Sequence, residues 1–214
     1  MTLTATRGAR TLNLYDRYVI PQLVHLAMRQ RMFLPFRQRI AAAAEGDVLE
    51  IGVGSGLNLP LYGPGVRSVI GIEPSPALLR MARRRRAAAP VTLLQASAEA
   101  MPVDDNGVDT IVMTWTLCSI ADAGRALGEM RRVLRPGGRL LFVEHGRAPQ
   151  QRIAWWQDAL DPVWTRFAGG CHLNRRIDAL IADAGFRIEA MSHPQLRGPS
   201  THTFLYEGSA RPQR

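Results

Sequence analysis

The sequence predicts an α/β fold, a Rossmann-like, doubly wound arrangement of seven mostly parallel strands with helices on both faces. Three observations predict it. From residue 47 onward short apolar runs alternate with helical stretches, the first run enters a glycine-rich turn, and a carboxylate ends the second. Strands are expected at 47–52, 66–73, 91–95, 109–114, 138–144, 186–191 and 201–207. The first leads into Gly52, Gly54 and Gly56, whose missing Cβ atoms permit a tight turn and close approach of a ligand to the backbone. After the second, Ser75 followed by Pro76 starts a helix: a capping hydroxyl, then proline in the first turn. That helix carries Leu78, Leu79 and Ala82 on one face and runs into four arginines at 83–86, a solvated C-terminal face. Asp109 is expected to order the start of the fourth strand. A further helix aligns Ala123, Leu127, Met130 and Leu134 and stops at Arg135-Pro136-Gly137-Gly138, the turn into the fifth strand.

At 214 residues with 46% apolar and 21% charged side chains, the chain is long enough for one domain with a full core. Cys118 and Cys171 are its two cysteines, which excludes a disulfide framework. Together with His145 and His172 they match no zinc-ligand spacing, so no metal is expected and both cysteines read as buried and inert. The formal charge is +9, and all 27 basic residues are arginine, a skew that fits high-GC bacterial coding. Seven of those arginines lie in residues 1–40 against the single acid Asp16, so that stretch reads as a basic helical arm preceding a domain at 41–214. Residues 18–36 are interrupted by Pro21, Arg29, Arg31 and Pro35, so no spanning helix is expected and the protein reads as cytoplasmic. Leu12, Tyr15, Val19, Leu23 and Leu26 fall on one helical stripe, expected to pack on the protein's own core. The same stripe leaves peripheral membrane contact open.

The glycine-rich turn departs from the dinucleotide fingerprint, which would place its third glycine at position 57, here Leu57. Glu73 stands 23 residues after Glu50 at the end of the second strand, where a carboxylate accepts both hydroxyls of a ribose. A ribose-bearing ligand is therefore expected, without being named by these features.

Four ordered segments, LEIGVGSG at 49–56, GIEPSP at 71–76, SAEAMPVDDNGVDTIV at 97–112 and LRPGGRLLFVEH at 134–145, resemble the motifs of class I S-adenosylmethionine-dependent methyltransferases. The resemblance implies S-adenosylmethionine as cofactor and S-adenosylhomocysteine as product. It implies that Gly52, Gly54 and Gly56 cradle the methionine end, Glu73 holds the ribose, and Ala98 and Glu99 line the adenine. Glu50, Asn58, Pro74, Ser97 and Thr114 belong to the same expected site, and Tyr15 of the arm would cap it. Ser97 stands where many relatives carry aspartate. An NAD-dependent dehydrogenase is disfavoured by Leu57. Met113-Thr114-Trp115-Thr116 differs from the Asn/Asp-Pro-Pro-aromatic exit of base methyltransferases, so nucleic acid is not an expected partner.

A narrower resemblance follows. Thr116 to Ile120, Glu144-His145, the stretch 156–164 and Gly170-Cys171-His172-Leu173-Asn174-Arg175 resemble the methyltransferase-like-seven group of thiol S-methyltransferases and their bacterial homologues. The animal members carry a hydrophobic anchor that residues 1–40 do not match, so stable anchorage is not expected. Tyr15-Asp16-Arg17-Tyr18 with GVGSGLNLPLY at 52–62 also resembles bacterial phospholipid N-methyltransferases. Two acceptors therefore stand, a small thiol and the amine of phosphatidylethanolamine, beside a third reading in which the cofactor binds without turnover. His145 and His172 are the candidate bases, Trp115, Trp156 and Trp164 the candidate walls of an apolar substrate pocket, and Arg175 the candidate partner of a substrate carboxylate or phosphate.

Overall fold

The computed structural model describes residues 19–213. Strands β1 (Gly46–Ile51), β2 (Val66–Ile72), β3 (Val91–Leu94), β4 (Val108–Thr114), β5 (Leu134–His145), β6 (Phe186–Ser192) and β7 (Leu205–Pro212) form one sheet in the order β3-β2-β1-β4-β5-β7-β6. Every neighbouring pair from β3 to β5 is parallel, and β7 runs antiparallel to both β5 and β6. The helices are α1 (Ile20–Met28), α2 (Leu34–Ala43), α3 (Pro76–Ala82), α4 (Ala123–Val133), α5 (Gln151–Phe167), α6 (Ile177–Asp183) and the single turn α7 (Ser200–Thr203).

Two apolar layers cover the sheet. On one face Leu127 and Met130 of α4 and Ile177 and Ile181 of α6 pack over Leu49, Ile111 and Phe142. On the other, Phe36 and Ile40 of α2 and Leu79 and Ala82 of α3 pack over Val48, Val112 and Leu141. Strands buried on both faces carry apolar runs at their centres, Val48-Leu49 in β1, Ile111-Val112-Met113 in β4 and Leu140-Leu141-Phe142-Val143 in β5. Helix α2 crosses residue 40 and contributes to this core, so its residues pack with the 41–214 domain.

Ser75 caps α3 as expected, its hydroxyl accepting from Leu78 N. Asp109 orders its strand start: its carboxylate accepts from Asp47 N at 2.8 Å and pairs with Arg67 and Arg135, which ties the amino ends of four strands together. Two elements differ from expectation. Residues 135–138, expected as a turn, are looped out inside β5, between Leu134 paired with Val108 and Arg139 paired with Thr110, with Gly137 at φ +83°. The last strand begins at 205 and not 201. Pro199 leads into a helical turn held by Thr203 Oγ1 to the Pro199 carbonyl, and the weakly patterned 208–212 stays extended because β5 and β6 both pair with it.

Candidate active site

The parallel register brings Ile51, Ile72 and Met113 abreast, so Gly52, Glu73 and Thr114 emerge side by side at the carboxyl edge of the sheet. A cavity of about 820 Å³ opens there, within the range of small-molecule sites. Among its lining residues are Glu50, Gly52, Gly54, Glu73, Pro74, Ser97, Ala98, Glu99, Thr114, Trp115, Trp164 and His145.

Gly52 sits at φ +64°, and a Cβ there would lie 2.5 Å from the Thr116 side chain; both conformation and space demand glycine. Gly54, at φ +55°, donates its N–H to Glu73 Oε2 at 3.2 Å, while Ser75 N donates to Oε1 at 2.9 Å. These bonds fix the carboxylate on the cavity wall and leave each oxygen a lone pair for a further donor. Burial raises the Glu73 pKa above the ordinary carboxylate value, opposed by those two backbone bonds. Across the cavity Glu99 accepts from Asp122 N at 2.7 Å, coupling the 97–99 loop to the start of α4.

Glu50 is fully buried and serves as the hub of a polar network. Asn58 Nδ2 donates to Glu50 Oε1 at 2.9 Å and to Thr114 Oγ1 at 3.1 Å, Tyr62 donates to Glu50 Oε2 at 2.8 Å, and Arg37 donates to Asn58 Oδ1 at 2.8 Å. Burial pushes the Glu50 pKa up to about 7 against the pull of Tyr62 and Arg37. Asn58 lies behind the cavity wall and props Glu50. Gly56 also lies behind it, where a Cβ would crowd Leu59 and the Ala82 backbone at 2.9 and 3.0 Å.

Helix α1 roofs the cavity. His25 Nδ1 meets Ser55 Oγ of the glycine-rich turn at 2.7 Å, and Ile20, Val24 and Met28 face inward. Val19, Leu23 and Leu26 are 40%, 49% and 53% exposed, so the described part of the apolar stripe does not pack into the core as expected. Leu12, Tyr15 and Tyr18 lie outside the described residues. Trp115, at φ +52°, meets Phe33 edge-to-face at 4.9 Å and lies under the Arg37 guanidinium at 5.0 Å, joining the N-terminal helices to the end of β4.

Three expected substrate or catalytic residues lie elsewhere. Trp156 is half exposed and meets Trp155 edge-to-face outside the cavity. His172 Nδ1 is held by Asp161 Oδ2 at 2.8 Å, and Asp161 also accepts from Leu173 N, so that pair pins a loop. Arg175 donates to the carbonyls of Leu117 and Ile120, the latter at 2.7 Å, clamping the 168–176 loop onto the turn after β4. Both bonds come from Nη1 and close the loop, and Arg175 does not line this cavity.

His145 does line the cavity, and the two cysteines join it. Cys171 Sγ lies 3.4 Å from Cys118 Sγ and 3.5 Å from His145 Nδ1. Hydrogen bonding from Cys118, then from His145, holds the Cys171 thiol well below its usual range, while the same bond and burial push Cys118 up. Cys118 is buried as expected and Cys171 is half-buried on the cavity wall; the two lie in loops that Arg175 and the His172 N to Cys118 O bond bring together, a contact sequence spacing cannot reveal. Glu144, also buried, accepts from Thr116 N and Cys118 N and sets that turn.

Residues 49–142 match the methyltransferase domain family. Human thiol S-methyltransferase TMT1A is 31% identical over 188 residues, covering 84% of this chain and 76% of that protein. The chain belongs to the class I S-adenosylmethionine-dependent methyltransferases. Phosphatidylethanolamine N-methyltransferase of Cereibacter sphaeroides is 33% identical over 178 residues, covering 79% of this chain and 84% of that one. A solved S-adenosylmethionine-dependent methyltransferase from Methanosarcina mazei, 22% identical, superposes with a TM-score of 0.64 over 86% of this chain and 98% of its own, a likeness of fold. The cofactor of this methyltransferase is S-adenosylmethionine, and the cavity fits it: a glycine floor, a ribose-ready carboxylate and enough volume.

Proposed function

We propose that this methyltransferase methylates the sulfur of a small, apolar thiol. The observation that carries the proposal is the cavity wall beyond the glycine turn, where Phe33, Trp115, Trp164 and Leu196 line an apolar space. Among the described residues that wall holds one guanidinium, Arg37, which is already bonded to Asn58 and to the Met28 carbonyl. A phosphate-bearing headgroup calls for a free cation there; a neutral thiol does not.

In this proposal Gly52 and Gly54 floor the methionine end, Glu73 holds the ribose, and Ala98 and Glu99 flank the adenine. The bound sulfonium supplies an electrophilic methyl group. The chain's own contribution is to align the acceptor and exclude water with α1; a small thiol supplies enough thiolate by itself, so no base is required of the cavity wall. Exposed Leu23 and Leu26 on α1 and Trp155 and Phe167 on α5 favour a working position in the cytoplasm against a lipid surface, from which apolar acceptors partition. The same surface is what supports the second reading, phosphatidylethanolamine as acceptor. KM values for an alkyl thiol and for the same thiol carrying a carboxylate test the proposal. A KM at least about tenfold lower for the neutral thiol is expected, since burying an unpaired charge costs more than about 1.4 kcal/mol. Equal values, or a preference for the anion, would contradict the apolar-acceptor assignment.

A further inference from the structure

Three metal-ligating side chains converge on the cavity wall from distant parts of the chain. Cys118 lies in the turn after β4, His145 is the last residue of β5, and Cys171 sits in the loop after α5. The Sγ atoms are 3.4 Å apart, Cys171 Sγ is 3.5 Å from His145 Nδ1, and all three ligand atoms fall within 4.8 Å of one another. We propose that Cys118, His145 and Cys171 form a binding site for a thiophilic divalent cation, zinc above all.

Zinc–sulfur and zinc–nitrogen bonds of about 2.3 and 2.0–2.1 Å at tetrahedral angles separate two sulfurs by about 3.8 Å and sulfur from nitrogen by about 3.6 Å. The Cys118–Cys171 and Cys171–His145 spacings have to open by only a few tenths of an ångström to reach those values, and Cys118 Sγ, within 4.8 Å of the His145 ligand nitrogen, has to settle at about 3.6 Å from it. Two thiolates neutralise a divalent cation, which suits a mostly buried setting. The scaffold is also in place. His172 N donates to the Cys118 carbonyl at 2.8 Å and Arg175 clamps the same two segments, so both sulfurs are held before any ion arrives. Three protein ligands with the remaining side open to the cavity is the arrangement of an exchangeable zinc site, and a soft donor such as a thiolate would take the fourth position. Bound this way, His145 is a ligand and not a proton acceptor. The site stands on its three ligands and is independent of which acceptor is methylated.

The test is metal binding by the full-length protein, stripped with chelator under reducing conditions and titrated with zinc or cobalt(II). One zinc per chain is expected by elemental analysis. The cobalt form is expected to show thiolate-to-cobalt charge transfer in the near ultraviolet and the intense visible bands of a tetrahedral ion. Cys118→Ser/Cys171→Ser should abolish both signals, and His145→Ala should weaken zinc by at least about tenfold. The cobalt spectrum of the wild-type protein reads thiolate ligation directly, so the outcome does not depend on the variants folding. A wild-type protein that takes up no stoichiometric zinc, cobalt bands lacking thiolate charge transfer, or formation of a Cys118–Cys171 disulfide that persists under the reducing titration would overturn the proposal.

Discussion

Glu50 and Glu73 are buried carboxylates at the ends of neighbouring strands, and their surroundings give them different work. Glu73 is fixed by the N–H groups of Gly54 and Ser75 with its remaining lone pairs turned to the cavity. Glu73→Ala is expected to weaken S-adenosylmethionine by about 10- to 100-fold in calorimetric titration, the range set by losing hydrogen bonds to a charged acceptor at about 1.5–3 kcal/mol. A change below about threefold would remove the ribose contact from the account. Glu50, enclosed by Asn58 and Tyr62, has its pKa raised by burial to about 7 from an ordinary 4.5. Between those values the folded protein holds more protons than the unfolded chain, so this group's contribution is full below 4.5 and is lost as pH rises through 7. Glu50→Gln has no proton to lose. Its stability relative to wild type should therefore grow from pH 5 to pH 8, by on the order of 3 kcal/mol in paired denaturant melts, and a constant gap would refute the assignment. The place of Glu73 on the cavity wall was legible in the sequence because a carboxylate that closes the strand beside a glycine-rich turn falls at the carboxyl edge of the sheet. Arg37, Tyr62 and His25 were not: Arg37 reads as one more charge in a basic segment, and only its burial against Asn58 reveals it as part of the wall.

At the scale of elements, alternation and glycine placement located six of the seven strands to within a few residues, and the central β1, β4 and β5 stand out because burial on both faces leaves an apolar run at their centres. The seventh was misjudged because its second half is held by neighbours on both sides and not by its own pattern. The loop at 168–176 was opaque for a related reason. Its anchors lie outside the loop, Asp161 eleven residues before His172 and the carbonyls of Cys118 and Ile120 more than fifty residues away, so His172 and Arg175 read as chemistry when the structure uses them as fastenings. Removing the fastening should be costly. Arg175→Ala is expected to destabilise the protein by about 2–3 kcal/mol, since two carbonyls lose charge-assisted partners. Thermal melts at one pH check this, and an unchanged midpoint would mean that the loop is held by Asp161 alone.

For the whole molecule, the excess of arginine says less about partners than its total suggests. Arg39 pairs with Glu207 across the sheet, and Arg67 and Arg135 close the acidic cluster of Asp47 and Asp109 at the edge opposite the cavity. What faces outward around the cavity mouth is apolar, on α1 and α5. The apolar cavity wall, whose guanidinium Arg37 is already bonded to Asn58, is the basis for assigning a neutral apolar acceptor; the apolar rim is shared by both acceptor readings. The measurement that tests it most directly is transfer of a labelled methyl group from S-adenosylmethionine, with small alkyl thiols and phosphatidylethanolamine vesicles offered together and the products resolved by mass. A methyl thioether with unmodified lipid is the predicted result; methylated phosphatidylethanolamine with unmodified thiol would contradict the account.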